Sequence, residues 1–362
     1  MTTSLTPPQT QEPYVGEPTR SLRAGTLPAW GPWAVLAGSA LVAALVAIVA
    51  LGGGLIAWVV VTVLVYLIAI YVVSSRVEGR RRGLDRLVTA VVSAAFGLAL
   101  IPLVSVVWTV LENGGPALSG AFFSEDLRGV VGEGGGIAHA ILGTVIITLM
   151  AAVISVPVGL LTSIYLVEYG TGKLARAITF FVDVMTGIPS IVAGLFAYAL
   201  FVVFLGPGVR MGLAGAVALS VLMIPVVIRS SEEMLRLVPN ELREASYALG
   251  IPKWRTIVKM VLPTAAAGIG TGVTLSIARV VGETAPLLIV AGFTNAINTD
   301  PFDGRMMTLP VFVYNAYTQP GIPPEVSIER AWGAALVLIL FVMALNLVAR
   351  VFSRVFAPKA GR

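Results

Sequence analysis

Cysteine is absent from this chain of 362 residues, and histidine occurs once, at His139. No disulfide framework and no thiolate metal site is therefore available, and imidazole-based metal or catalytic arrangements lack the residues they need. Charge is scarce as well. Asp, Glu, Lys and Arg make up 12% of the residues, 57% are hydrophobic, and mean hydropathy is +0.92. A soluble domain would not leave so little charge for its surface, so the sequence reads as a polytopic membrane protein. The net charge of +5 does not point to nucleic acid, because the basic residues sit mostly in loops between apolar runs and form no sustained basic arm. Nothing in the sequence supports catalysis. There is no Gly-x-x-x-x-Gly-Lys-Ser/Thr phosphate loop, so the chain is not itself an ATPase. Gly268, Gly270 and Gly272 lie in an apolar run with no strand before them, where close helix packing explains them better than nucleotide binding. Glu232 and Glu233 are adjacent and so point to different faces of a helix.

What is present is a series of long apolar runs. Spans of about 17–25 such residues cross a bilayer as helices, and eight are predicted, at about 34–51, 55–74, 87–111, 137–167, 177–205, 212–228, 264–295 and 331–352. The expected fold is therefore all-α. Residues 1–33, rich in Pro, Thr, Gly and Gln, read as a disordered cytoplasmic tail without a cleaved signal peptide, with Trp30 and Trp33 at the interface. The Gly52-Gly53-Gly54 turn makes the first two spans a tight hairpin, and the hairpin with its basic loop occupies 34–86. Arg76, Arg80, Arg81, Arg82 and Arg86 form the densest positive cluster, which the positive-inside rule puts in the cytoplasm. Counting from there, the acidic loop 112–136 falls outside and Lys173 and Arg176 fall inside. Residues 296–330 fall outside, and the tail at 353–362 falls inside. Both termini are expected to be cytoplasmic.

Between the sixth and seventh spans lies a polar island, from Arg229 to Pro263. Pro239 breaks an arriving helix and Asn240 suits an N-cap, while Leu242, Ala245 and Leu249 recur at i, i+3 and i+7. Gly250 ends that helix and Pro252 opens another. The island thus reads as two short helices with an elbow between them. Glu244, Ala245, Ser246, Gly250, Leu262 and Pro263 fall on the EAA motif (EAA, three residues, G, nine residues, I, one residue, LP), with Ser246 in place of the second Ala and Met260 in place of the Ile. In this the chain resembles the permeases of binding-protein-dependent ABC importers. The resemblance implies a type I permease core of six spans, here about 87–352, with the hairpin as an addition. It also implies that the island, at residues 229–263 with Pro252 in its elbow, is a coupling helix seated on a cytoplasmic ATPase subunit. An amphipathic loop lying on lipid headgroups is the plainer alternative.

The seventh span carries Arg279 and Glu283, four residues apart. Ionisable residues at bilayer depth are kept where they meet a partner or water, and this spacing puts both on one helical face. Either the pair gates an oxyanion that competes for the guanidinium, or it merely neutralises itself and staples helices together. The run Arg279-Val280-Val281-Gly282-Glu283-Thr284-Ala285-Pro286-Leu287-Leu288 resembles the matching segment of phosphate importer permeases. That likeness implies inorganic phosphate as substrate and Arg279, Glu283 and Thr284 on its path, and the interrupted fifth span adds Ser190 to that path. It further implies a second permease, two ATPase subunits carrying ATP and magnesium, an extracytoplasmic phosphate-binding protein and a bacterial inner membrane, with no cofactor in this chain. A sulfate or molybdate permease and an ion-coupled secondary transporter are the rival readings.

Three other stretches fit the same family. The first, Gly135-Gly136-Ile137-Ala138-His139-Ala140-Ile141-Leu142-Gly143-Thr144, opens the fourth span with small residues that allow close helix approach, and His139 there reads as a packing residue. The second is Asp183–Val192, where Gly187 and Pro189 loosen the fifth span and Ser190 and freed amides face an anion or simply mark a kink. Asp183 is expected to pair with Arg176. The third, Met307-Thr308-Leu309-Pro310 within the outer segment 296–330, resembles the region where the substrate-loading protein docks. A partnerless surface loop is the other reading.

Overall fold

The computed structural model describes residues 25–50 and 54–356. The expectations for residues 1–24, for the turn at 51–53 and for the last residues of the basic tail fall outside those described. Among the described residues the chain is all-helical, which is the economical solution for a backbone that must satisfy its own hydrogen bonds in lipid. By contacts it divides into two compact units, Met1–Val106 and Val107–Arg362.

The first unit holds α1 (Gly31–Ala50), α2 (Leu55–Val77) and most of α3 (Arg80–Gly114). α1 and α2 pack together, with the Trp58 indole donating to the Ala40 carbonyl at 3.0 Å. The basic cluster expected in a loop lies largely on a helix, because only Glu78 and Gly79 separate α2 from α3 and Gly79 takes a left-handed φ of 91°. Glu78 is buried and accepts from Ser74 Oγ at 2.6 Å, Arg86 Nε at 2.6 Å and the Leu27 amide at 2.9 Å. The Arg86 hydrogen bond, then that of Ser74, holds the Glu78 carboxyl down at about 2 against the opposing effect of burial.

The second unit contains the end of α3, then α4 (Gly120–Ser124), α5 (Ala138–Ile164), α6 (Gly172–Thr186), α7 (Ser190–Leu205), α8 (Gly212–Arg236), α9 (Asn240–Ala248) and α10 (Lys253–Thr256). It continues with α11 (Leu262–Val281), α12 (Ala285–Val290), α13 (Leu309–Thr318) and α14 (Pro324–Phe356). Single π turns follow α5, at Tyr165–Tyr169, and precede α11, at Ile257–Val261. Among the described residues seven helices are long and apolar enough to span a membrane, or eight when α6 and α7 count as one broken span. That total agrees with the expected eight. The core centres on α5 against α8, where Ala140, Ile147 and Ala151 meet Ala216, Leu219 and Met223. Close approach is paid for in side-chain size. A Cβ on Gly159 would fall 2.6 Å from Val227 Cγ1, and one on Gly272 would fall 2.6 Å from Ser230 Oγ. The glycines of α11 are therefore packing residues, as expected.

Two expected spans are not single helices. Residues 177–205 were expected as one span with a loosened centre, but α6 and α7 meet at Gly187–Pro189 with a bend of 111°. Pro189 denies the backbone an amide, and Gly187, whose N–H bonds Val184 O at 3.1 Å, closes the preceding turn. Residues 264–295 likewise stop at Val281, break over Gly282–Thr284 and resume as the short α12. Nor is 296–330 a simple surface loop. It folds into α13, whose first residues, Leu309, Val311 and Phe312, are buried in the core.

Candidate functional site

The two breaks meet. Gly194 on α7 lies so close to α12 that a Cβ would be 2.6 Å from Pro286 Cα, and this contact sets the interruption in one span beside the interruption in the other. Between them lies a cavity of about 220 Å³ lined by Met185, Thr186, Ile188, Ser190, Leu222, Val226, Arg279 and Glu283. Interrupted membrane helices are tolerated where they line such a cavity, and they free polar groups to face it. Three of the four residues expected on a substrate path are thus brought together. Thr284 is not. It is the residue before α12, where its carbonyl accepts from the Leu288 amide at 3.0 Å.

Arg279 occupies the last turn of α11, the helix end that favours a cation, and is exposed on the isolated chain. The expected Arg279–Glu283 pair is not formed among the described residues. The i, i+4 rule fails because the helix ends at Val281, so that Glu283 follows a Gly282 turn and its N–H reaches back only to Val280 O at 3.1 Å. Both charges face one chamber without neutralising each other. Asp183 also differs from expectation, since its partner is Arg229 on α8 and not Arg176. A same-helix neighbour loses here to a tertiary one. Arg229 in turn donates to the buried Glu232 at 2.8 Å, and Glu232 also accepts from Arg236 at 2.5 Å.

At one end of the bundle the stretch that opens α5 and the Met307-Thr308-Leu309-Pro310 stretch prove to be one contact. Thr144 Oγ1 accepts from the Leu309 amide at 2.8 Å, and a Cβ on Gly143 would overlap the Met307 carbonyl oxygen. His139 is buried with its ring edge-on to Phe312, 5.6 Å between centroids, in accord with a packing role. Asp126 accepts from the Ile297 and Arg128 amides at 3.1 Å each. These bonds lower its pKa, and the one from Ile297 ties the loop before α5 to the loop after α12. Tyr314 and Tyr317 stay exposed.

At the other end the island has its expected two helices and elbow. Gly250 takes φ 73°, the left-handed region that glycine reaches without strain. Asn240 is the first residue of α9 and not its N-cap, since Pro239 precedes it in that role, and the Asn240 side chain instead accepts from Arg243 at 3.2 Å. Leu242, Ala245 and Leu249 do not pack inward. They are exposed, as are Glu244 and Trp254, so the elbow offers an apolar face with a carboxylate beside it. Ser246 is buried instead, and its hydroxyl lies 2.7 Å from that of Thr256 on α10, which accounts for a serine where the motif has alanine. Leu262 packs with Leu235, Val238 and Val261, below the elbow proper. Pro263 is the second residue of α11, just past a π turn in which the Leu262 amide bonds Ile257 O.

Sequence reasoning did not single out the fastening of this elbow. Arg243 donates to Val238 O at 2.6 Å, to Leu235 O at 2.9 Å and to Glu168 Oε1 at 3.0 Å, so it caps α8 and clamps the π turn after α5. Lys253 bonds the Glu168 carbonyl and lies over the Tyr169 ring, 4.8 Å from its centroid. Because Glu168 and Arg243 are 75 positions apart, no local spacing could have announced the pair.

A multi-pass helical bundle with a charged chamber between broken helices and an exposed amphipathic elbow at one end has the build of a membrane transport subunit. The chain belongs to the family described as "Binding-protein-dependent transport system inner membrane component", whose profile matches residues 155–362. Among curated relatives, the phosphate transport system permease protein PstA 1 of Mycobacterium tuberculosis (strain H37Rv) is 50% identical over 273 residues, covering 75% of this chain and 87% of the relative. PstA of Mycobacterium leprae (strain TN) is 46% identical over 284 residues, covering 78% and 92%. Among solved structures, a bacterial alginate ABC transporter in complex with an alginate pentasaccharide-bound periplasmic protein aligns with a TM-score of 0.54 at 12% identity, over 77% of this chain and 97% of that one. That likeness is one of fold.

Proposed function

We propose that this chain is a permease subunit of an ATP-driven inorganic phosphate importer. One observation carries the reading. The guanidinium of Arg279, on a membrane-spanning helix, has no ion-pair partner among the described residues and is exposed on the isolated chain beside a chamber that also holds Ser190 and Thr186. A cation in that position is costly unless water or an anion reaches it, and its planar fork suits a tetrahedral oxyanion. The exposure supports a path completed by a second, PstC-like permease facing Arg279. The names of the curated relatives support phosphate over sulfate or molybdate.

In this reading the permease domain is 87–352, both termini are cytoplasmic in a bacterial inner membrane, and the elbow meets one of two PstB-like ATPase subunits that carry ATP and magnesium. Exposed Leu242, Ala245 and Leu249 supply an apolar contact for the ATPase and Glu244 a charged one. A PstS-like phosphate-binding protein docks near Tyr314 and Tyr317. Closure of the ATPases moves the elbow, the spans rock around the chamber, and Arg279 hands the anion inward. The chain supplies the path and the mechanical linkage, and its partners supply hydrolysis.

Replacing Arg279 with Gln should abolish phosphate uptake while the complex still assembles, read by uptake in cells and by co-purification of the ATPase. Normal uptake by that variant would refute the path.

A further inference from the structure

The chamber at the two helix breaks contains a carboxylate that an anion path would not be expected to tolerate. Glu283 lines the same small cavity as Arg279, yet it forms no ion pair and no side-chain hydrogen bond among the described residues. Neighbouring charges do not occupy it. On the elements around the chamber, Asp183 of α6 is bound to Arg229 of α8, and Arg229 and Arg236 share the buried Glu232. α7 and α12 carry no charged residue, and Arg279 is the only one on α11. Lys173 and Arg176 of α6 and Glu233 of α8 do not line the cavity, so among the described residues Glu283 and Arg279 are the free charges facing this space. A site built only to attract anions would do better with Gln at 283.

The chemistry of a carboxylate gives it a use. An ionised carboxylate only accepts hydrogen bonds, and its bond from an O–H donor is short and strong. Near neutral pH inorganic phosphate keeps one or two protons on its oxygens, and arsenate does the same, whereas sulfate and molybdate keep none. A phosphate held by Arg279 can turn a P–OH toward Glu283 and gain a charge-assisted bond. Sulfate in the same place has only lone pairs to present and meets repulsion from like charge. The Ser190 hydroxyl, free of any other side-chain partner among the described residues, can donate to a remaining oxygen of either ion. The discrimination therefore falls to Glu283.

We infer that Glu283 is a specificity-determining residue of the path, admitting oxyanions that carry a proton and rejecting those fully deprotonated. The inference rests on the anion-path reading of Arg279 given above. It also explains why the two charges are held apart, since a closed Arg279–Glu283 pair would spend both groups on each other.

The test uses the assembled importer in lipid nanodiscs without its phosphate-binding protein, so that the selectivity of the latter does not intrude. Radiolabelled inorganic phosphate is bound and then competed with arsenate, sulfate or molybdate. In the native complex arsenate should displace phosphate and sulfate should not. Glu283→Gln, whose amide can donate to an unprotonated oxygen, should lower the preference for phosphate over sulfate by roughly tenfold or more. Glu283→Asp should keep the preference with weaker binding, which a merely structural role would not require. Co-purification of the ATPase checks that each variant assembles. If Glu283→Gln keeps the native preference while phosphate binding still depends on Arg279, the selectivity role is overturned and the path stands. If phosphate binding to the native complex is absent, or is unaltered by Arg279→Gln, the path itself is refuted.

Discussion

The hydroxyl pair across the elbow gives the sharpest test of how this island is built. Ser246 and Thr256 are each 1% exposed and sit 2.7 Å apart, joining α9 to α10 around Gly250. Deleting one hydroxyl strands the other, at about 1–3 kcal/mol for a buried group. Thr256 keeps a long fallback to the Pro252 carbonyl at 3.5 Å, so Ser246→Ala should fall near the lower end, about 1 kcal/mol. Ser246 has no such fallback among the described residues, and Thr256→Val should cost about 2 kcal/mol. The double variant should cost little more than the larger single change, a coupling of about 1 kcal/mol. Because the elbow is short and exposed it should open locally, and hydrogen exchange is the fitting assay. The Gly250 and Ile251 amides, bonded to Tyr247 O at 2.9 Å and Ser246 O at 3.2 Å, should exchange roughly five- to thirtyfold faster in the single variants. Unchanged exchange, or losses that simply add, would refute the reasoning that this pair clasps the elbow.

Two further outcomes are expected besides those for Arg279 and Glu283. Gly143→Ala forces a methyl group onto the Met307 carbonyl and pulls Thr144 from Leu309; overpacking of this kind costs about 1–3 kcal/mol or more, and the melting temperature of the purified protein should fall clearly. Glu78, with its folded pKa lowered from 4.5 to about 2, contributes stability that is complete above the ordinary carboxylate range. The unfolded chain binds more protons below that range, so this contribution is lost as pH drops toward 2. Glu78→Gln should flatten the loss of thermal stability between pH 5 and about 2, and an equally steep loss in the variant would count against the Glu78 network.

The elbow was legible because its signals are local: Pro239, Gly250 and Pro252 punctuate a polar stretch, and backbone preference decides where such helices stop. The spans were legible for the same reason, as composition alone fixes them. The two breaks were only half visible. Long apolar flanks on both sides of 187–189 and 282–284 dominate a hydropathy window, so it reports continuous helices, although Gly282 followed by Thr284 and Pro286 is a stop and a restart in the chemistry of helix ends. The spacing of Arg279 and Glu283 misled because an i, i+4 argument assumes the helix that Gly282 ends. Asp183 with Arg229 and Glu168 with Arg243 are fixed by packing between distant segments, and no periodicity encodes such partners. The outward face of Leu242, Ala245 and Leu249 was patterned correctly but points away from this chain, as a face kept for another molecule would.

Helix α5 works as a strut. Its 27 residues span about 40 Å, bolted in the second turn to the Met307–Leu309 strap and gripped just beyond the last by Arg243 through Glu168. A stiff rod fixed at both tips passes a push along its length, so whatever leans on the strap is felt at the elbow, and a tug on the elbow returns to the strap. Pro157 inside the rod and the π turn that carries the grip are where that stroke has slack.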